Sequence, residues 1–289
     1  MRKLAFVMTM LAGVFSLAAY AQDNPLVDRE FWETATARDV IQAIRSGADT
    51  QARAYDGWTP LHLAAIFGKS PKMMEPLLKQ ESVNVNARDK HGNTPLHLAV
   101  RYGQTQELVA LLLDSGAKIE ARNEYGHTPL HAAAIWSEER TIHMLFREGK
   151  DIKEMEDHME KHEMEALMVS GTPELVALLL DRGANIEARD KDGKTSLHYA
   201  VAISKTPKST ALLLDRGANI GARDKSEWTP LHHAANHGKA PAVMELLLDR
   251  GADGTARDDK GRTPFDRVEG NDSLKGSNLY WRLNEAQYQ

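Results

Sequence analysis

GWTPLHLAA (residues 57–65), GNTPLHLAV (92–100) and GHTPLHAAA (126–134) are three copies of one nonapeptide. GKTSLHYAV (193–201), EWTPLHHAA (227–235) and GRTPFDRVE (261–269) are weaker copies. Their threonines, Thr59, Thr94, Thr128, Thr195, Thr229 and Thr263, are separated by 35, 34, 67, 34 and 34 residues. A fixed period near 34 marks a repeat architecture, in which each unit is too small to bury its own apolar face and must stack on its neighbours. The 67-residue interval is two periods, which predicts one concealed copy.

A second signature keeps the same phase. It reads LLLDSGAKIEARN (111–123), LLLDRGANIEARD (178–190), LLLDRGANIGARD (212–224) and LLLDRGADGTARD (246–258). The local chemistry predicts two helices per unit. Thr serves as N-cap and Pro follows at the first helical position, where its missing N–H costs nothing. Leu108, Leu111 and Leu112 form the apolar stripe of a second helix. Gly116, Gly183, Gly217 and Gly251 follow that helix where a left-handed C-cap is needed. Turns such as Asp89-Lys90-His91-Gly92 then close the unit.

The TPLH motif, the two helices and the GAD-x-x-AR-D turn together resemble the ankyrin repeat family, over nearly the whole chain after its first 21 residues. The resemblance implies an all-α solenoid and a structural duty for His62, His97, His131, His198 and His232. In that family the motif histidine hydrogen-bonds backbone between neighbouring units. Capping units are expected at both ends. Residues 22–53 keep only the GAD turn and Arg53; residues 258–289 lose the motif histidine to Asp266 and finish in an aromatic helix with Tyr280 and Trp281. Between them the period divides the chain into six units: 54–88, 89–122, 123–155, 156–189, 190–223 and 224–257.

The fourth unit carries the concealed copy. Its TPLH position reads Lys161-His162-Glu163-Met164, and Met159 stands where the turn glycine belongs. Its second half, Glu174 to Asp190, is regular. The segment EMEDHMEKHEMEALMVSG (154–171) pairs Met155 with Met159 and His158 with His162 at helical i,i+4 spacing. Thioether and imidazole suit copper, so this is a candidate metal site. Glu, Met, Lys, Ala and Leu are also plain helix formers, and HMEKH fits neither the HExxH nor the HxxEH zinc spacing. The structural reading is preferred: a drifted first half, without a cap, at which the array should either bend or open first. No cofactor is expected.

Other chemistry finds few residues to use. The chain has no cysteine, which excludes disulfides, thiol catalysis and cysteine zinc sites. No phosphate-cradling loop or G-x-S-x-G is present, and the sequence offers no enzyme. Arg53, Arg88, Arg122, Arg189, Arg223 and Arg257 recur at the turn, all but Arg53 followed by Asp or Asn, which predicts a charge-balanced ladder. Arg2 and Lys3, the apolar run 4–18 and Ala19-Tyr20-Ala21 have the form of a secretory signal peptide cleaved after Ala21. Without Arg2 and Lys3 the chain has 34 basic and 41 acidic residues, and no basic block to suit nucleic acid. A soluble monomer in the periplasm, or secreted beyond it, is expected.

Function is then expected at positions the fold does not dictate, the turn tips and the ends of the first helices, which line the inner face in ankyrin proteins. Those positions hold Tyr55, Trp58, Ile66, Phe67, Arg101, Tyr102, Tyr125, Ile135, Trp136, Ile203, Trp228 and His237. Aromatic residues and Arg dominate binding hot spots. The expected role is non-catalytic binding of another exported protein or peptide, as inhibitor, protector or scaffold of an envelope protein. A secreted effector and a copper or small-ligand carrier are the alternatives.

Overall fold

A computed structural model describes residues 24–54, 56–68, 70–102, 104–135, 173–203, 207–237, 241–269 and 274–288, with the side chains at 135, 203 and 237 outside the description. Among the described residues the chain is helix and turn, with no strand, which makes the fold the expected all-α solenoid. The helices are α1 (Arg29–Thr34), α2 (Ala37–Arg45), α3 (Pro60–Phe67), α4 (Pro71–Leu78), α5 (Pro95–Arg101), α6 (Gln106–Asp114) and α7 (Pro129–Ile135). They continue as α8 (Pro173–Asp181), α9 (Ser196–Ile203), α10 (Lys208–Asp215), α11 (Pro230–His237), α12 (Pro241–Asp249), α13 (Pro264–Val268) and α14 (Asn278–Ala286). They divide into two compact bodies. One runs to Ala99 and includes Glu107–Lys118; the other holds Val100–Gln106 and Ile119 onward.

In the N-terminal body the cap is built around Trp32. Its ring is fully buried and its Nε1–H donates to the Leu26 carbonyl at 2.9 Å. Helix α2 starts at a Thr36/Asp39 capping box and packs its buried Val40 and Ala43 side against α4. Helix α3 is buried from Pro60 to Ile66, so it is apolar all round rather than amphipathic. Its capping box uses an imidazole in place of a carboxylate. The Thr59 N–H donates to His62 Nδ1 at 3.1 Å, which leaves the His62 proton on Nε2, where it donates to the Asn93 carbonyl at 3.2 Å. One side chain thus closes a helix start and ties its unit to the next.

The same device recurs in the C-terminal body. Thr128, Thr195 and Thr229 each donate to the Nδ1 of His131, His198 and His232. Their Nε2 atoms reach the carbonyls of Lys194, Trp228 and Arg262 at 3.1, 3.2 and 3.0 Å. At the last unit Asp266 takes over the cap, accepting from the Thr263 N–H at 2.6 Å. A carboxylate can only accept, so it cannot donate onward as the histidines do.

The predicted unit boundaries need correction at the 67-residue interval. Helix α7 packs directly against α8, as α9 does against α10, and against α9, as α9 does against α11. Bonds that elsewhere join successive units here span twice the distance in sequence. The Lys191 N–H donates to the Tyr125 carbonyl at 3.0 Å, His131 reaches Lys194, and Glu120 accepts from the Asn185 N–H at 2.8 Å. A Cβ added to Gly126 would meet the Lys191 nitrogen at 2.9 Å, so nothing stands between these turns. Helices 129–135 and 173–181 are therefore the two halves of one unit, and residues 136–172 fall between them in sequence. The division into 123–155 and 156–189 does not hold. In chain order the described residues give five helix pairs between the caps. The interval resembled two periods because the added length is close to one. The segment 154–171, with its candidate ligands His158, His162, Met155 and Met159, lies outside the described residues.

Candidate interaction surface

The turn tips after the first are each organised by one side chain. Asp190 Oδ1 accepts the N–H groups of Asp192 and Lys194, both at 2.8 Å. Asp89, Asp224 and Asp258 accept the same pair of N–H groups in their own turns, and Asn123 does so with its amide oxygen. Backbone bonds then join tip to tip: Lys90 to Asp56 in the N-terminal body, and Lys191 to Tyr125, Lys225 to Asp192 and Asp259 to Ser226 in the other. The tips are rigid platforms rather than loose loops.

The arginines beside these turns are not charge-balanced by the neighbouring Asp or Asn as expected. Arg53, Arg122 and Arg189 each donate through Nη1 to two carbonyls, that of the turn glycine four residues on and that of the next unit's arginine. Arg223 keeps the second bond but meets Glu227 Oε2 at 3.1 Å instead of a glycine carbonyl. The guanidinium fork serves here as a backbone staple.

In the C-terminal body the second oxygen of each buried turn aspartate finds the residue nine positions later. Tyr199 donates to Asp190 Oδ2 at 2.5 Å, His233 donates to Asp224 Oδ2 at 2.8 Å, and Arg267 pairs with Asp258 Oδ2. Burial alone would push these carboxyls up, but the hydrogen bonds they accept outweigh it and hold all three below the usual carboxylate range. For the Tyr199 phenol, burial and the adjacent Asp190 carboxylate both push its pKa above the ordinary value. These residues directly follow the motif position, held by His198, His232 and Asp266. Sequence reading missed the series because Tyr, His and Arg share no residue type; the constant offset of nine from the turn aspartate was the available signal.

The predicted binding residues divide. Ile66 is only 5% exposed and belongs to the core, so it is withdrawn as a contact residue. Phe67 carries the Arg29 guanidinium 5.1 Å from its ring centre. Trp58 is half-buried and donates to Asp89 Oδ2 at 3.3 Å. Trp228 is half-buried beneath the Arg267 guanidinium, 3.9 Å from its ring centre, with the His233 ring at 5.0 Å. These three rings brace the fold while showing one edge. Tyr102 is half-buried and Arg101 exposed. Tyr55 and Trp136, and the side chains of Ile135, Ile203 and His237, lie outside the described residues.

Tyr125 stands apart. It is 56% exposed, the largest value for a described apolar or aromatic side chain among the predicted contact residues. Its N–H is held by Asn123 and its carbonyl by Lys191, so the backbone beneath the ring is fixed from both sides. The His127 ring lies beside it, tilted by 33° with centres 5.6 Å apart, and passes a hydrogen bond to the Tyr199 oxygen at 3.0 Å. A hydrogen bond to Glu124 pushes the Tyr125 phenol pKa up, while the Arg101 charge opposes the shift. The result is an exposed aromatic ring on a fixed base, flanked by one carboxylate and one guanidinium. Such a patch can anchor a partner at small ordering cost. The nearby Asp190 carboxylate accepts from Asp192, Lys194 and Tyr199, with His127 Nε2 at 3.4 Å.

Comparison with known proteins gives a consistent picture. Family models described as ankyrin repeats match residues 33–123 (three copies), 164–207 and 213–268 (many copies), and a single ankyrin repeat matches 192–225. Among solved structures, the crystal structure of the ankyrin repeat domain of Bcl-3, a member of the IκB protein family, is similar at 27% identity and a TM-score of 0.61. That match covers 91% of this chain and 98% of the other. No curated protein matches.

Proposed function

The chain belongs to the ankyrin repeat family, and on that premise we propose that it is a non-catalytic binding module of an exported compartment, with the Tyr125 patch as its anchor. Ankyrin arrays are protein–protein interaction scaffolds, and among the described residues no helix is long and apolar enough to cross a membrane. The observation that carries the proposal is the exposure of Tyr125 on a turn clamped by its neighbours. The partner is another exported protein or peptide, which this module inhibits, protects or scaffolds. Export itself rests on the leader-like residues 1–21.

Two measurements test this. The chain from its native envelope should begin at Gln22; an intact Met1 chain in the cytoplasm would contradict export. A photoreactive residue at Tyr125 should yield one defined protein adduct in native cells, and the same residue at the exposed Ser115 should not. Equal labelling from both positions would remove the patch from the account.

A further inference from the structure

The N-terminal body has a second open surface, on the side of its second helices. Ile41, Ile44 and Pro76 floor a groove of about 460 Å3 between α2 and α4. Ile41 is 37% exposed, and few large apolar side chains among the described residues are as open. Arg45, Lys72 and Lys79, all exposed, form the rim. The one carboxylate in the lining, Glu75, lies 3.8 Å from Lys79 and is already offset by it.

The rest of the chain shows what is unusual here. Asp181, Asp215 and Asp249 stand two residues before a turn glycine at the end of a second helix. Each is bridged by an arginine of the following element: Arg216 at 2.6 Å, Arg250 at 2.7 Å and Arg282 at 2.7 Å. Those bridges lie across the junctions between adjacent second helices. At the equivalent position, two residues before Gly47, the cap has Arg45, and Lys79 stands at the end of the facing helix. Two cations cannot bridge. The groove stays open and concentrates positive charge in a chain whose net charge is −5.

We propose that this groove docks an acidic amphipathic helix of a partner protein. A groove between two packed helices suits a third, with apolar side chains at i, i+3 and i+4 on Ile41, Ile44 and Pro76. Carboxylates on the flanks of that helix meet Arg45, Lys72 and Lys79. The apolar floor gives the affinity, and the rim selects acidic over basic sequences. This surface is separate from the Tyr125 patch, and either can fail without the other.

The test uses the full chain and two labelled helical peptides of one apolar pattern, with Leu at i, i+3, i+4 and i+7. One carries Glu on its flanks and the other Lys. Fluorescence anisotropy at low salt should show the Glu peptide binding at least about tenfold more tightly, with the preference shrinking as salt screens the rim. Ile41→Asp should abolish binding of both peptides. Arg45→Glu with Lys79→Glu should invert the preference. Tyr125→Ala should change neither. All these positions are exposed, and circular dichroism checks that the fold is kept. Equal binding of the two peptides, or binding that survives both Ile41→Asp and the charge reversal, overturns the proposal. So does a dimer of the wild-type chain that Ile41→Asp turns into monomer, because a second copy would then be the occupant.

Discussion

Ser196 occupies the first helical position of α9, where Pro60, Pro95, Pro129, Pro230 and Pro264 stand in the other units. It is fully buried, and its hydroxyl has no hydrogen-bond partner. A buried, unsatisfied hydroxyl costs free energy, whereas proline presets the helical φ and lacks only an N–H the helix does not use. Ser196→Pro should therefore stabilise the fold by about 1 kcal/mol in urea denaturation; a destabilised variant would show that the Ser196 backbone N–H is needed. Glu227 is the complementary case. It sits at φ 60, where the equivalent Gly57, Gly92, Gly126, Gly193 and Gly261 all have φ between 75 and 82. The strain is offset in part by its ion pair with Arg223, which is exposed and worth a few tenths of a kcal/mol. Glu227→Gly should gain about 0.5 kcal/mol by equilibrium denaturation, and a loss would mean that the ion pair outweighs the backbone strain.

At the scale of elements, much of the array was legible and one part was misread. Threonine, proline and histidine at fixed offsets announced α3, α5, α7 and α11, and with one residue changed α9 and α13, because capping and helix entry are chemistry local to four residues. The aspartate series was hidden because its partners, Tyr199, His233 and Arg267, differ in type and share only a position. The interval from Thr128 to Thr195 was misread because spacing alone cannot distinguish a decayed unit from added length between two helices of one unit. Direct packing of α7 on α8 and α9 decides for the second. A variant joining Ile135 to Pro173 through Gly-Lys-Ala, the linker at 238–240, should still unfold in one cooperative step with a midpoint within a few degrees of the parent. A variant that does not fold would mean that residues 136–172 carry packing the stack requires. Among the binding residues, Trp58, Phe67 and Trp228 were chosen for aromaticity, which does not reveal that a neighbouring Asp or Arg has already engaged the ring.

Across the whole molecule the motif histidines make stability depend on pH. Burial lowers the pKa of His131 and His198 to about 4, and lowers His62 and His232 as well. Each must stay neutral, since Nδ1 accepts from the capped helix. At His131 and His198 the unfolded chain takes up a proton near pH 6.5 and the folded chain does so only near pH 4. Their stabilisation is therefore complete above about pH 6.5 and is lost as pH falls from there toward 4. By pH 5, His131 and His198 should each cost about 2 kcal/mol. Urea midpoints should fall steadily between pH 7 and pH 5, and a flat profile would show that the imidazoles are not held neutral. Below about pH 4 the carboxyls of Asp190, Asp224 and Asp258, held low by their hydrogen bonds, add a second loss as they protonate. The binding role rests on a different feature of the same scaffold, a fixed ring on a rigid turn. It is tested most directly by titrating the partner captured at Tyr125 against the wild-type chain and against Tyr125→Ala and Arg101→Ala in a calorimeter. The account predicts at least about a tenfold loss of affinity for Tyr125→Ala, a smaller loss for Arg101→Ala and unchanged melting for both. An unchanged affinity in the folded Tyr125→Ala protein would contradict it.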